Sequence, residues 1–279
     1  MNFTWHGETY PEPVPLGLLG GIRVVIRTMI IVVIFGLGLA LTLVLRVFEA
    51  PFRTARRPLT APITRYVFRA TLWVIGLRLK VQGCPMPQGG AVVANHSSWL
   101  DIMVLHAAQT VVFVSKAEVA RWPVIGALAR LNDTVFIRRD RREARTQAEL
   151  FQTRMESGQR LLFFPEGTST DGMRVLPFKS SLFEAFFTDK LRPAAHIQPI
   201  SVIYDAPRGA VDLRFYGWWG DMDMAPHALK VLGAMQHGQV RVLFHAPLAV
   251  AAYEDRKALS AALEAQVRAG MPEGRRAVH

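Results

Sequence analysis

The sequence predicts an α/β domain carried behind a hydrophobic membrane anchor, and three observations predict it. From residue 90 onward, short apolar runs alternate with amphipathic segments, the texture of strands and helices packed in layers. Ahead of them, residues 28–45 form a run of 18 without a charge. The composition joins a hydrophobic fraction of 51% and a mean hydropathy of +0.19 to a formal net charge of +11. Greasy and basic together point to a membrane surface.

A chain of 279 residues holds one folded domain and an appendage. We expect a membrane-anchoring region over residues 1–80 and the folded domain over 81–279. The uncharged run nearly spans a hydrocarbon core at 1.5 Å per residue. A cleaved signal peptide would also be apolar, but Glu8 and Glu12 precede this run and no small-x-small site closes it, so an uncleaved transmembrane helix is expected. Arg23 and Arg27 lie before it; Arg46, Arg53, Arg56, Arg57, Arg65 and Arg69 lie after. The positive-inside rule then places the bulk of the chain in the cytoplasm, at the inner (cytoplasmic) membrane, single-pass or monotopic. A second apolar stretch, residues 66–79, contains Arg69 and Arg78 and is too short and too charged to span, so an interfacial helix with snorkelling arginines is expected there.

In the domain, residues 91–94, 110–114, 134–137, 161–164, 197–204, 211–216 and 240–245 read as strands. Residues 98–108, 140–157 with Gly158 as a stop, 178–187 and 253–269 read as helices. Pro199 interrupts its strand, and an edge position is the default for a strand proline. The single cysteine, Cys84, excludes an internal disulfide and any CxxC motif. Only six of the 33 basic residues are Lys, which leaves 27 Arg, the side chain that forks onto phosphate and carboxylate. Acidic carriers and anionic headgroups fit such a surface. Nucleic acid ranks well below, because zinc-finger, RNP and basic-zipper patterns are missing.

Four constellations carry chemistry. Asn95-His96-Ser97-Ser98-Trp99-Leu100-Asp101 sits between a buried strand and a helix. Asp101 can hold one ring nitrogen of His96 while the other takes a proton from a hydroxyl. Ser98 to Asp101 equally fits a capping box. In Leu161 to Thr170, Phe163-Phe164-Pro165-Glu166-Gly167-Thr168 ends a buried strand with a carboxylate, a glycine and hydroxyls. Gly167 permits close approach of backbone to a ligand, and Thr168 with nearby amides can donate to an anion; the same residues are ordinary turn composition. Thr134 to Arg142 runs a strand into Arg138, Arg139, Arg141 and Arg142, which can pair a phosphate or simply open a helix into solvent. Ile197-Gln198-Pro199-Ile200 is the fourth.

Their order and spacing resemble the 1-acylglycerol-3-phosphate acyltransferase family of lyso-lipid and glycerolipid acyltransferases, over residues 90–204. The resemblance implies a mixed, largely parallel sheet flanked by helices, an N-terminal helical pair against the bilayer, acyl-carrier protein or coenzyme A as acyl donor, a lyso-lipid acceptor, and no metal or bound cofactor. It implies His96 as general base and Asp101 as its orienting partner, with Glu166 and Gly167 at the acceptor site and Arg139 matching the arginine of the second motif; beside them Thr168 can donate to an anion, and Arg138, Arg139 and Lys179 can pair the carboxylate of an aminolipid headgroup. Two positions depart from the pattern. Asp133 stands where the second motif usually has glycine, and Ser169 stands where arginine is common in enzymes that acylate phosphate-bearing acceptors. The run from Thr170 to Ser180 is more similar to the lyso-ornithine lipid O-acyltransferase branch.

Rival chemistries lack their parts. No Gly-x-Ser-x-Gly elbow is present for a serine hydrolase, and His96, Asp101 and His106 lack a convincing further metal ligand. A basic protein that only binds anionic lipid is the non-enzymatic alternative. His227, His237 and His245 are expected to be structural or surface residues, and Trp218 and Trp219 are candidates for a membrane interface.

Overall fold

The computed structural model describes residues 4–12, 15–50, 57, 59–117, 120, 133–137, 144–210 and 212–275. It is a three-layer arrangement around one sheet. The helices are α1 (Leu18–Glu49), α2 (Ala61–Ile75), α3 (Leu100–Ala108), α4 (Ala144–Glu156), α5 (Met224–Gly233) and α6 (Arg256–Gly270). The strands are β1 (Arg78–Gln82), β2 (Gly90–Ala94), β3 (Val112–Lys116), β4 (Val135–Ile137), β5 (Arg160–Phe163), β6 (His196–Asp205), β7 (Gln239–Phe244) and β8 (Leu248–Ala249). The sheet runs β1-β7-β6-β2-β5-β3-β4, with β8 also against β6. It is mixed and mostly parallel; among the described residues only the pairings of β6 with β7 and β8 are antiparallel.

Alternation along β2 builds both cores. Val92 and Ala94 point into one cluster with Leu72, Leu105 and Val242; Ala91 and Val93 point into the other with Phe183, Leu259 and Val267. All five residues of β2 are buried, as expected of a parallel strand covered on both faces.

Helix α1 has 32 residues, about 48 Å at 1.5 Å per residue, and a mean hydropathy of 2.7 over its most apolar window. It extends well beyond the expected 28–45. Arg23 and Arg27 do not flank it as free charges: Arg23 Nε donates to Gly233 O at 2.8 Å, and Arg27 Nη1 to Leu232 O and Ala234 O at 2.7 Å each. These are the carbonyls left over at the end of α5, where cations bind well. Further along, Phe35 meets Phe68 of α2 edge-on, and at Gly38 a Cβ would lie 2.4 Å from the Val67 side chain, so glycine lets α1 and α2 close up. Glu49 then accepts from Leu59 N, Thr60 N and Thr60 Oγ1. The second apolar stretch is helical over 61–75, and Arg78 and Leu79 belong to β1 instead.

Three further readings are corrected. Residues 213–216 form turns and Asp212 is irregular, so no strand forms there, and Val211 lies outside the described residues. The 178–187 segment is a 3-10 helix over Ser180–Phe187. Pro199 is not at an edge: β6 lies between β2 and β7. Its carbonyl accepts from His245 N at 3.0 Å. In extended backbone the N–H and C=O of one residue face the same neighbour, so the missing donor falls in the gap between β7, paired with 200–205, and β8, paired with 196–197.

Candidate active site

The site gathers at the carboxyl ends of β2, β5 and β6. Where β2 stops pairing with β6, Asn95 continues the ladder with its side chain: Nδ2 donates to Val202 O at 2.9 Å and Oδ1 accepts from Val202 N at 2.7 Å. That fixes the loop bearing His96. His96 Nδ1 lies 2.7 Å from Asp101 Oδ2, and the same oxygen accepts from Ser97 N at 2.8 Å and Ser98 N at 3.0 Å. The base-and-orienter contact forms, and of the capping box only the half in which Asp101 reaches back to the Ser98 amide forms: the N-cap is Trp99, and Ser98 Oγ accepts from Leu100 N at 3.3 Å instead of from Asp101 N. The other carboxylate oxygen of Asp101, Oδ1, accepts from Tyr204 Oη at 2.8 Å. Burial, with the Asp101 charge beside it, holds the Tyr204 phenol well above its ordinary pKa, so it stays a donor.

Asp101 is fully buried while the His96 side chain is 20% exposed. With Nδ1–H on the carboxylate, Nε2 is the basic nitrogen. The ring stacks on Phe164, centroids 4.0 Å apart and planes 11° apart, which fixes the direction of Nε2.

Glu166 is buried beneath this loop, 1% exposed. Its Oε1 accepts from His96 N at 2.6 Å and its Oε2 from Leu176 N at 2.7 Å, so it ties the two motif loops together. Burial pushes its carboxyl up to about 8 against the opposing pull of those two amides. Thr170 adds a second tie, donating from N to His96 O at 2.9 Å. Gly167 has φ +74, and a Cβ there would meet Lys179 Nζ at 2.7 Å, so the ammonium lies against the motif glycine. The amide of Gly167 turns back to Phe164 O at 3.1 Å. Thr168 Oγ1 accepts from Trp5 N at 3.3 Å.

The structure thus brings together His96, Asp101, Glu166, Gly167, Thr168 and Lys179. Arg138 and Arg139 lie outside the described residues. Sequence reasoning missed Asn95 as a brace, Tyr204 as the fourth donor to Asp101, and Trp5 with Glu8, whose contacts cross the whole chain. Trp219 is buried between Trp5 and Tyr10, ring centroids 6.1 and 5.9 Å away, and does not face a membrane. His227 is also internal, accepting from Trp99 Nε1 at 2.9 Å.

A histidine–carboxylate pair on the loop after a buried parallel strand, facing a Pro-Glu-Gly-Thr turn, defines the acyltransferase class of α/β domain. Residues 78–203 match the acyltransferase family. The chain is 50% identical over 267 residues to the lyso-ornithine lipid O-acyltransferase of Rhodobacter capsulatus, covering 96% of each. It is 35% identical to the Brucella abortus protein of the same name, covering 88% of this chain and 94% of that one. The crystal structure of the 1-acyl-sn-glycerophosphate (LPA) acyltransferase from Thermotoga maritima shares the fold, with a TM-score of 0.61 at 21% identity over 90% of this chain and 95% of that one. This chain belongs to the acyltransferase family. It is an acyltransferase enzyme.

Proposed function

We propose that the enzyme moves a fatty acyl group from a carrier thioester, on acyl-carrier protein or coenzyme A, to the free hydroxyl of a lyso-ornithine lipid or a related lyso-aminolipid, with lysophosphatidate as a weaker acceptor. The two relatives of that name support the acceptor class, and so does Ser169, where an arginine would pair a phosphate. Ser169 is 8% exposed, so a cation has no room there unless its neighbours move.

The observation that carries the chemistry is the 2.7 Å contact of His96 Nδ1 with a carboxylate that three other donors hold still. His96 Nε2 takes the proton of the lipid hydroxyl as its oxygen attacks the thioester carbonyl. The resulting imidazolium is stabilised by Asp101. A tetrahedral oxyanion forms; its collapse re-forms the carbonyl, breaks the C–S bond and releases the thiolate, which takes the proton back from His96. We assign the Lys179 ammonium at Gly167 to the oxyanion or to the headgroup carboxylate, because the Gly167 amide is already engaged. Arg138 and Arg139 remain headgroup candidates from the sequence. Glu166 acts as a brace between the motif loops.

His96→Ala is expected to lower acyl transfer by at least about 10²–10⁴-fold with membrane association intact, and Asp101→Asn to be similarly impaired. Steady-state turnover of purified protein tests this; more than a tenth of wild-type rate in His96→Ala sinks the mechanism.

The same reading places residues 1–80 as the anchor and 81–279 as the catalytic domain at the cytoplasmic face of the inner membrane. Both ends of α1 reach the domain, through Arg23 and Arg27 on the end of α5 and, at the other end, through Arg46 Nη2 at 3.9 Å from Asp133 Oδ2, while Glu49 holds Leu59 and Thr60 ahead of α2. That supports a monotopic seat in one leaflet, with α1 and α2 as the immersed pair. Phe48, Leu37, Leu43, Val47 and Trp73 are among the exposed apolar residues such a seat would cover.

A further inference from the structure

From Ala50 to Leu100 the sequence contains seven arginines and lysines and neither an Asp nor a Glu. Helix α2 and strand β1 lie in that stretch, so they carry Arg65, Arg69, Arg78 and Lys80 without a carboxylate of their own. On α2, Tyr66, Arg69 and Trp73 are spaced by three and four residues and share one face. Tyr66 is 67% exposed and Trp73 82%. Two exposed aromatic rings flanking an arginine suit the headgroup level of a bilayer, where an amphipathic ring has both an apolar and a wet side.

At Trp73 a groove of about 490 Å³ opens between α2 and β1. Leu72, Leu77 and Leu79 give it apolar walls, Arg69 and Arg78 line it too, and none of its described lining residues is acidic. Arg69 Nε donates to Ala107 O at 2.8 Å, at the end of α3, which fixes the guanidinium and leaves its terminal nitrogens unbonded among the described residues. Arg78 has no hydrogen bond or ion pair to any described residue. The strands beyond β1 supply no spare anion. Asp205, two strands from Arg78 in register, is already bonded by Gln239 and Arg241. Strands β7 and β6 also separate this groove from β2 and the His96 loop, so it is not part of the acceptor site.

Two guanidiniums without counter-ions, set against leucines and an exposed indole, match a phosphodiester with the first carbons of its acyl chains. We infer that this groove is a headgroup site for an anionic phospholipid of the host bilayer, and that its occupant holds α2 at headgroup depth. The inference rests on the membrane seat proposed above and names the lipid which that seat selects.

The test uses the full-length enzyme in phosphatidylcholine bilayers doped with a trace of either phosphatidylglycerol or phosphatidylcholine that bears a fluorescent energy acceptor on its acyl chain. Transfer from Trp73 is the part lost in Trp73→Phe. Transfer to labelled phosphatidylglycerol should exceed transfer to labelled phosphatidylcholine by about fivefold or more, the scale of one or two cations at an anionic headgroup. Arg69→Gln/Arg78→Gln should remove the excess, while Arg208→Gln/Lys257→Gln, an equal charge change at exposed positions outside the groove, should keep it. Arg78 has no bond in the fold to lose, so Arg78→Gln alone should cut the excess several-fold with acyl transfer in detergent micelles unchanged. Equal transfer to the two lipids overturns the inference alone, as does an excess that survives in the groove variants or falls equally in the control. Absence of Trp73-dependent transfer to either lipid takes α2 away from the headgroups and sinks the membrane seat together with the inference.

Discussion

Asp101 accepts four hydrogen bonds in a fully buried place, and only Tyr204 among the donors comes from a distant strand. Removing that hydroxyl leaves Oδ1 desolvated and unpaired, a cost of about 1–3 kcal/mol. Tyr204→Phe should therefore lower thermal stability by that scale and reduce kcat several-fold with little change in KM for either substrate, as steady-state kinetics and a melting curve will register. Asp133 illustrates a different constraint. Its φ is 56, the left-handed region that glycine occupies freely and that aspartate tolerates better than most residues. The departure from the motif glycine thus keeps the backbone shape and adds a carboxylate, which Arg57 Nη1 approaches at 2.9 Å.

At the scale of elements, α1 is held by side chains as much as by its apolar face. Arg23 and Arg27 bond three carbonyls at the end of α5. The double variant Arg23→Ala/Arg27→Ala should speed amide exchange through the first half of α1 and leave α2 protected, a difference that hydrogen-exchange mass spectrometry resolves. The strands with β-branched or aromatic runs were legible in the sequence because both their faces are buried. Strand β1 was not: Arg78-Leu79-Lys80-Val81-Gln82 does alternate, but it is largely exposed and its first two residues continue the apolar stretch 66–79 without a break. Helix α5 was hidden by Pro226, which its first turn tolerates because no intrahelical donor is needed there. Residues 212–216 misled in the opposite direction: Tyr216 is buried for its contacts with Tyr204 and His237, not through strand pairing. In the candidate site the residues within one motif could be read, while the ties between motifs could not, because no local pattern records a partner a hundred residues away.

For the molecule as a whole, three histidines are buried neutral. Burial pushes His106 down to about 4, His227 to about 3 and His237 to about 4, from an ordinary 6.5. Their folded values are depressed, so the stability they contribute is present above 6.5 and is lost as pH falls toward 4, where the unfolded chain binds protons that the folded one refuses. Glu166, raised to about 8, works in the opposite sense over the same window and offsets part of the loss. Melting temperature should fall between pH 7.5 and 5, and His227→Gln, which keeps an acceptor for Trp99, should shrink the unfolding free-energy difference between those conditions by about 2 kcal/mol. The monotopic seat has its own check: a cysteine placed near residue 10 and one near residue 255 should react with an impermeant reagent from the same side of a sealed vesicle. Labelling from opposite sides would restore a single-pass anchor.

The Arg23 bond to Gly233 joins residues 210 apart in the chain, and the Trp5 bond to Thr168 spans 163. A ribosome makes α1 and α2 early and the α5 partner of α1 late. For most of the time the polypeptide is being made, the longest apolar helix has only α2 to rest on, and lipid is the cover available to the rest of it. Delivery to the bilayer must therefore come before the domain folds, and His96 acquires its Tyr204-braced carboxylate only after the chain is already seated where a lipid acceptor would lie.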